Sequence, residues 1–151
     1  MNKILDKLMI ILVDQPGRER DALKAILTSM KNVREIELIN EYKDLHNWFS
    51  VKYPDVVVIR ERSDDQNLIR YIKDIKAANP HLRFLVITET TKNIEELVEA
   101  GADHVFLKGF SSIELDDLLN QWSMEKILKY FVNRPDPQPL PSLSTHWQLL
   151  V

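Results

Sequence analysis

The chain has 151 residues, of which 44% are hydrophobic and 28% are charged, and it contains no cysteine. This length and composition are typical of one soluble globular domain with an extension. The net charge of -3 gives no basic footprint for nucleic acid. The lack of cysteine excludes disulfides and thiolate metal sites. The start of the chain lacks a signal-peptide cleavage site, and no apolar run reaches the ~20 residues of a membrane span.

Five short apolar segments alternate with five segments of helical spacing. The apolar segments end at polar residues, as buried parallel strands do, and the others place apolar side chains three or four residues apart. Short loops between them predict a parallel sheet with helices on both faces. In chain order we predict strands at 8–13, 35–42, 54–60, 84–87 and 104–107, and helices at 16–32, 43–53, 68–79, 94–101 and 111–122.

Local signals mark several of these boundaries. Pro16 and Gly17 form a turn at which the first helix begins, because proline suits the first helical position. The second strand alternates in polarity, which is typical of a more exposed strand near an edge. Pro54 ends the second helix, and residues 111–114 form a capping box that opens the fifth.

The strand at 54–60 is the centre of the predicted sheet. Residues 56–59 are four consecutive branched apolar residues, so both faces of this strand are buried. In open α/β sheets, ligands bind at the carboxyl edge of such strands. Here the edge residue is Arg60, and arginine stays charged and cannot act as a nucleophile. The strand therefore carries the wrong residue for covalent chemistry at this position.

Motifs at the strand ends carry a family resemblance. They are Ile11-Leu12-Val13-Asp14-Gln15-Pro16, Pro54 to Ile59, and Ala100-Gly101-Ala102-Asp103-His104-Val105-Phe106-Leu107-Lys108. With these motifs, residues 8–122 resemble the receiver domain of bacterial two-component response regulators. The resemblance implies a flavodoxin-like three-layer sandwich, with five parallel strands in the order 2-1-3-4-5 and five helices. It also implies a cytoplasmic signalling protein.

In that family, two acids after the first strand hold Mg²⁺, and an aspartate ending the third strand accepts a phosphoryl group. A Ser or Thr ending the fourth strand and a Lys ending the fifth contact the phosphoryl oxygens. In this chain Asp14 matches the first acid, but Gln15 replaces the second and Arg60 replaces the acceptor. Thr88 and Lys108 match the other two positions.

These losses predict a pseudo-receiver, which keeps the fold without the phosphorylation chemistry. Val105 stands at the family's aromatic switch position, so that readout is missing as well. One acid beside Arg60 and Lys108 would coordinate Mg²⁺ poorly, because two cations repel it. We therefore expect no metal, no cofactor and no enzymatic activity.

The charge of Arg60 has two possible uses. We expect an internal ion pair with Asp14, helped by Glu61 or Glu89, since arginine suits partly buried ion pairs. The alternative is that Arg60 binds a free anion together with Thr88 and Lys108.

Three functions follow from these uses. The first is a non-enzymatic module that binds a protein partner or itself, without direct contact to nucleic acid or membrane. The second is a sensor that holds a small anionic ligand in the degenerate pocket of Asp14, Arg60, Thr88 and Lys108. The third and weakest is residual phosphotransfer to another carboxylate, such as Glu61 or Asp14.

The end of the chain departs from the alternating order. We divide the chain into a receiver-like domain at 1–122, an extension of the last helix at 123–133 and a proline-rich tail at 134–151. The extension either covers its own domain or pairs with a second chain, and the resemblance favours a dimer. The interface candidates are Leu118, Trp122, Met124, Ile127, Leu128 and Phe131.

Overall fold

The computed structural model describes residues 7–49, 51–62 and 65–132. Its strands are β1 (Leu8–Val13), β2 (Val33–Ile39), β3 (Val56–Glu61), β4 (Arg83–Thr88) and β5 (His104–Leu107). Its helices are α1 (Arg18–Thr28), α2 (Leu45–Phe49), α3 (Gln66–Ala78), α4 (Ile94–Ala100) and α5 (Ser112–Val132). The strands pair in parallel in the order β2-β1-β3-β4-β5. This confirms the predicted flavodoxin-like sandwich, its strand order and its five helices.

The sheet separates two hydrophobic cores, because successive side chains of a strand point to opposite faces. Val57 and Ile59 of β3 pack with α2, α3 and α4 on one face. Val56 and Val58 pack with α1 and α5 on the other. By the same alternation, Arg60 continues the α1/α5 side of β3 and Glu61 continues the α3/α4 side.

Several predicted elements have different bounds in the structure. α1 spans Arg18–Thr28 rather than residues 16–32, because Gly17 is the residue that caps it. β2 begins earlier than predicted, since Val33 already pairs with Leu8 of β1, and it ends at Ile39 rather than residue 42. The predicted helix at 43–53 is a short 3-10 turn at Tyr42–Asp44 followed by α2, which ends at Phe49. β3 does not end at residue 60 but continues to residue 61, which pairs with residue 88 of β4.

α5 is the longest described helix and runs without interruption past residue 122. Trp122 and Ile127 are only 5% and 6% exposed, so they pack within their own domain and are not free for a partner. The remaining interface candidates, which are Leu118, Met124, Leu128 and Phe131, are half-buried. No described helix, α5 included, is long and apolar enough to cross a membrane. The tail at 134–151 and residue 133 lie outside the described residues.

Charged groups at the amino edge of the sheet hold the second half of α5. Lys126 Nζ donates to Asp55 Oδ2 at 3.0 Å and to the Lys7 carbonyl oxygen at 2.9 Å. Arg83 donates to Glu125 Oε2 at 2.6 Å. Charge-assisted hydrogen bonds are about twice as strong as neutral ones, so they fix the helix end to the sheet.

We expect Ile127→Ala to lower the free energy of unfolding by about 2–5 kcal/mol, because truncating a buried side chain leaves a cavity. The matched control is Tyr130→Ala on the same helix, where the side chain is 46% exposed. Urea unfolding measures both variants. Equal losses in the two variants would contradict the packing of α5 described above.

Candidate functional site at the carboxyl edge of the sheet

The parallel sheet gathers four strand ends at its carboxyl edge. Asp14 follows β1, Arg60 lies near the end of β3, Thr88 ends β4 and Lys108 follows β5. The Lys108 backbone N–H donates to the Thr88 carbonyl oxygen at 2.8 Å, which continues the pairing of β4 and β5. The register therefore brings together the strand ends that the sequence predicts.

The Asp14 carboxylate is the centre of this edge, and its side chain is fully buried. Its Oδ2 accepts from Arg60 Nε at 2.8 Å, which is the predicted ion pair. Its Oδ1 accepts from Arg62 at 2.7 Å and from the Gln15 backbone N–H at 2.9 Å. Burying a carboxylate without partners is very unfavourable, and here both oxygens have charged donors.

The residues that assist Arg60 differ from the expected ones. Neither Glu61 nor Glu89 pairs with it among the described contacts. Its guanidinium instead lies 3.2 Å from Glu19 Oε2, in the first turn of α1. The correction follows from strand alternation, because Glu61 points to the opposite face of the sheet from Arg60.

Lys108 is also paired with carboxylates. Its Nζ lies 3.4 Å from Glu19 Oε1 and 3.4 Å from Glu89 Oε1. The hydrogen bond to Glu19, followed by the one to Glu89, raises the pKa of Lys108 above its usual value. One Glu19 carboxylate thus contacts both Arg60 and Lys108, at the place where the alternative prediction puts a free anion. That alternative has no support in this geometry.

The Thr88 side chain makes no described contact with Arg60 or Lys108. Its hydroxyl donates to Glu61 Oε1 at 3.0 Å, and both residues are almost completely buried. The Thr90 backbone N–H donates back to the same hydroxyl at 3.3 Å. Val105, at the predicted switch position, is partly buried against the core on the α3/α4 side. Thr88 is therefore engaged by a carboxylate rather than presented as a free donor.

The residues at this edge do not fit a magnesium ion. Mg²⁺ needs hard oxygen ligands with free lone pairs in near-octahedral geometry. Asp14 is the one acid at the expected pair of positions, and three donors engage it. Gln15 turns away and donates to the Asn40 carbonyl oxygen at 3.2 Å. Nowhere in the described part of the chain do three or more metal-ligating side chains gather.

Sequence reasoning misses the roles of Glu19, Arg62 and Glu61. The sequence does indicate the side of the sheet on which Glu61 lies, because Val57, Ile59 and Glu61 alternate along β3 and share one face. Glu19 and Arg62 carry no comparable signal. They reach the site through the geometry of the β1–α1 connection and of the chain after β3, which short motifs do not define.

No family model and no curated protein matches this sequence. Solved structures do match. A protein described as pilus-assembly-related, from Burkholderia pseudomallei, has a TM-score of 0.70 at 14% identity over 80% of this chain and 92% of its own. The receiver domain of a sensor histidine kinase from Pseudomonas aeruginosa, with magnesium in its active-site cleft, has a TM-score of 0.66 at 18% identity over 78% and 98%.

A LuxR-family DNA-binding response regulator from Silicibacter pomeroyi gives a TM-score of 0.65 at 18% identity over 78% of this chain and 93% of its own. These likenesses show that the chain has the fold of response-regulator receiver domains. The magnesium ion of the Pseudomonas domain contrasts with the edge of this sheet, where guanidinium groups surround the one matching acid.

We expect Asp14→Asn to lower the free energy of unfolding by about 3–5 kcal/mol, because it leaves the nearly buried Arg60 guanidinium without its charged partner. The matched control is Asp117→Asn on the exposed side of α5, for which we expect a change within about 0.5 kcal/mol. Urea unfolding in low and high salt measures both. A loss at Asp14 that disappears in high salt would contradict a buried pair, because salt screens buried pairs far less than exposed ones.

Proposed function

We propose that the chain is a pseudo-receiver: a regulatory module that works without phosphorylation and acts by binding a protein partner or a second copy of itself. The observation that carries the proposal is the ion pair between Arg60 and the buried Asp14 carboxylate, 2.8 Å apart. Arg60 stands where the resemblance places the phosphoacceptor aspartate.

The chemistry of phosphoryl transfer supports this proposal. Formation of an acyl phosphate needs a carboxylate nucleophile, and metal ions neutralise the charge that develops during transfer. Arg60 is not a nucleophile, and Asp14 is held by two guanidinium groups. An enzymatic role is therefore not part of the proposal, and neither is a cofactor.

A carboxylate side chain of the protein itself also takes the place of the negative charge that a phosphoryl group brings when it is added. In this chain Glu19 supplies a permanent anion between Arg60 and Lys108. The amide of Gln15 and the apolar side chain of Val105 replace groups that take part in the family's response. We propose that the module stays in one conformation and that signalling depends on which partner is bound.

Exposed apolar side chains support one face of the domain as the proposed partner surface. Val98 of α4 and Leu107 of β5 are 52% and 41% exposed, and their two elements are neighbours. Ile113, in the first turn of α5, is 72% exposed. Receiver domains commonly associate through this face, so we propose it as the contact surface for a partner or for a homodimer.

Phosphorylation is tested by intact-mass spectrometry after incubation with a small phosphodonor and Mg²⁺. We expect no stoichiometric adduct on the wild-type chain. Arg60→Asp alone also gives none, because Gln15 keeps the metal site weak, whereas Gln15→Asp with Arg60→Asp gains a base-labile phosphoryl group. The control carries Gln15→Asp with Arg60→Asn and lacks the nucleophile.

Two results would contradict the proposal or its basis. A stoichiometric, base-labile adduct on the wild type would overturn the pseudo-receiver and indicate transfer to another carboxylate, such as Glu61. A double aspartate variant that takes phosphate no better than the wild type would show that the strand ends are wrongly aligned with the family motif.

Self-association is tested by sedimentation equilibrium on the whole chain and on a version ending at Asn133. We expect a dimer in both, because the proposed surface lies on the folded domain.

Leu107→Lys weakens the dimer at least tenfold, since it buries a charge in the contact, while the matched control Val51→Lys leaves it unchanged. Val51 is 73% exposed and follows α2 in the chain, outside α4, β5 and α5. A monomer in every case would exclude the homodimer and leave a different protein as the partner.

A further inference from the structure

A cavity lies beside the Asp14–Arg60 pair, between the ends of β1 and β3, the segment after β2 and the start of α3. Its volume is about 330 Å³, at the lower end of the range for small-molecule sites. Val13, Ile59 and Leu68 give it an apolar wall. Polar side chains line the remainder, and they include Tyr42, Glu61 and Asp65.

Glu61 is the unusual member of this lining, because it is a carboxylate that is only 2% exposed. Its Oε1 accepts the hydroxyl of Thr88 at 3.0 Å. Its Oε2 is buried and has no hydrogen-bond partner among the described residues. Nearly all buried polar atoms in proteins are hydrogen-bonded, and an unpaired carboxylate oxygen is among the least favourable exceptions. Among the described residues, the wall of the cavity therefore holds no donor for Glu61 Oε2.

The neighbouring charged groups do not supply that donor. Arg60 and Arg62 both donate to Asp14. The Asp65 side chain accepts the first backbone N–H groups of α3, from Asn67 at 3.0 Å and from residue 68 at 3.1 Å. These groups satisfy one another. Glu41 and Lys43 also line the cavity, but neither is in a described contact with Glu61, so its carboxylate remains the group without a charged donor.

We propose that this cavity binds a small organic ammonium ion, whose N–H groups donate to the Glu61 carboxylate. The apolar wall accommodates the alkyl part of such a ligand. Tyr42 offers an aromatic ring of the kind that attracts cations, and burial followed by the Asp65 charge raises the pKa of its hydroxyl. A bare metal ion fits less well, because the described residues include no cluster of three or more ligating side chains.

The amine site is separate from the proposed partner surface, because Val98, Leu107 and Ile113 do not line the cavity. Glu61 lies on the α3/α4 side of β3, whereas the Arg60 ion pairs lie on the α1/α5 side. Arg62 connects the two regions, because it lines the cavity and also donates to Asp14 at 2.7 Å. Asp14, Gln15 and Arg60 of the degenerate phosphorylation pocket also line the cavity, so an amine bound at Glu61 lies next to the Asp14–Arg60 ion pair.

The experiment titrates the full-length chain with 1,4-diaminobutane, methylamine and agmatine at constant ionic strength. Amide NMR shifts and calorimetry follow binding. We expect saturable shifts centred on the backbone of residues 59–62 and 65–68 for at least one amine. Sodium chloride, magnesium chloride and sodium phosphate at the same ionic strength give no saturable shift there.

Two variants locate the site. Glu61→Gln keeps the shape and removes the charge, and we expect at least a tenfold loss of amine affinity with the folded spectrum preserved. The matched control, Glu96→Gln on the exposed side of α4, binds as the wild type does. Asn67→Trp changes an exposed residue at the cavity rim and blocks entry, which gives a second test that leaves Glu61 in place.

The proposal is overturned by any of three results. These are the absence of saturable binding by every amine, equal binding in Glu61→Gln and the wild type, or equal shifts from magnesium or sodium chloride. A shift caused by phosphate alone would also overturn it, because it would indicate an anion site. None of these results alters the outcome of the phosphodonor experiment, so the two proposals fail separately.

Discussion

One buried carboxylate, that of Asp14, organises the carboxyl edge of this sheet. It accepts from Arg60, from Arg62 and from the Gln15 backbone, so charge-assisted hydrogen bonds join the ends of β1 and β3. Removing charges from water is unfavourable, and good geometry with fully occupied lone pairs is what offsets it. Arg60 also pairs with Glu19, so the guanidinium group at this edge of the sheet has two carboxylate partners.

The sequence predicts the sheet and its order because solid apolar runs specify buried strands with little ambiguity. The bounds of β2 are less predictable, since a half-buried edge strand carries a weak pattern and its pairing with β1 decides where it begins. The Asp14–Arg60 pair is also predictable, because parallel strands bring their carboxyl ends together. The contributions of Glu19 and Arg62 depend on the path of connecting segments, and the orientation of Thr88 depends on a buried partner that no motif identifies.

Two consecutive residues of β3 have opposite environments. Arg60 pairs with Asp14 and Glu19, whereas Glu61, in the wall of the same cavity, has an oxygen without a partner among the described residues. This difference follows from the twofold period of a strand, which sends neighbouring side chains to opposite faces of the sheet. In the two proposals, the residue that replaces the phosphoacceptor is therefore the immediate neighbour of the residue that binds the amine.

The arginine at the end of β3 also has a consequence for timing. An acyl phosphate is consumed by hydrolysis, so a module that carries one is reset by its own chemistry. A guanidinium group is neither consumed nor titrated at physiological pH. In the proposed pseudo-receiver, the charge near the end of β3 is consequently permanent. The duration of a signal is then set by how much of the protein is present and by how long its partner stays bound.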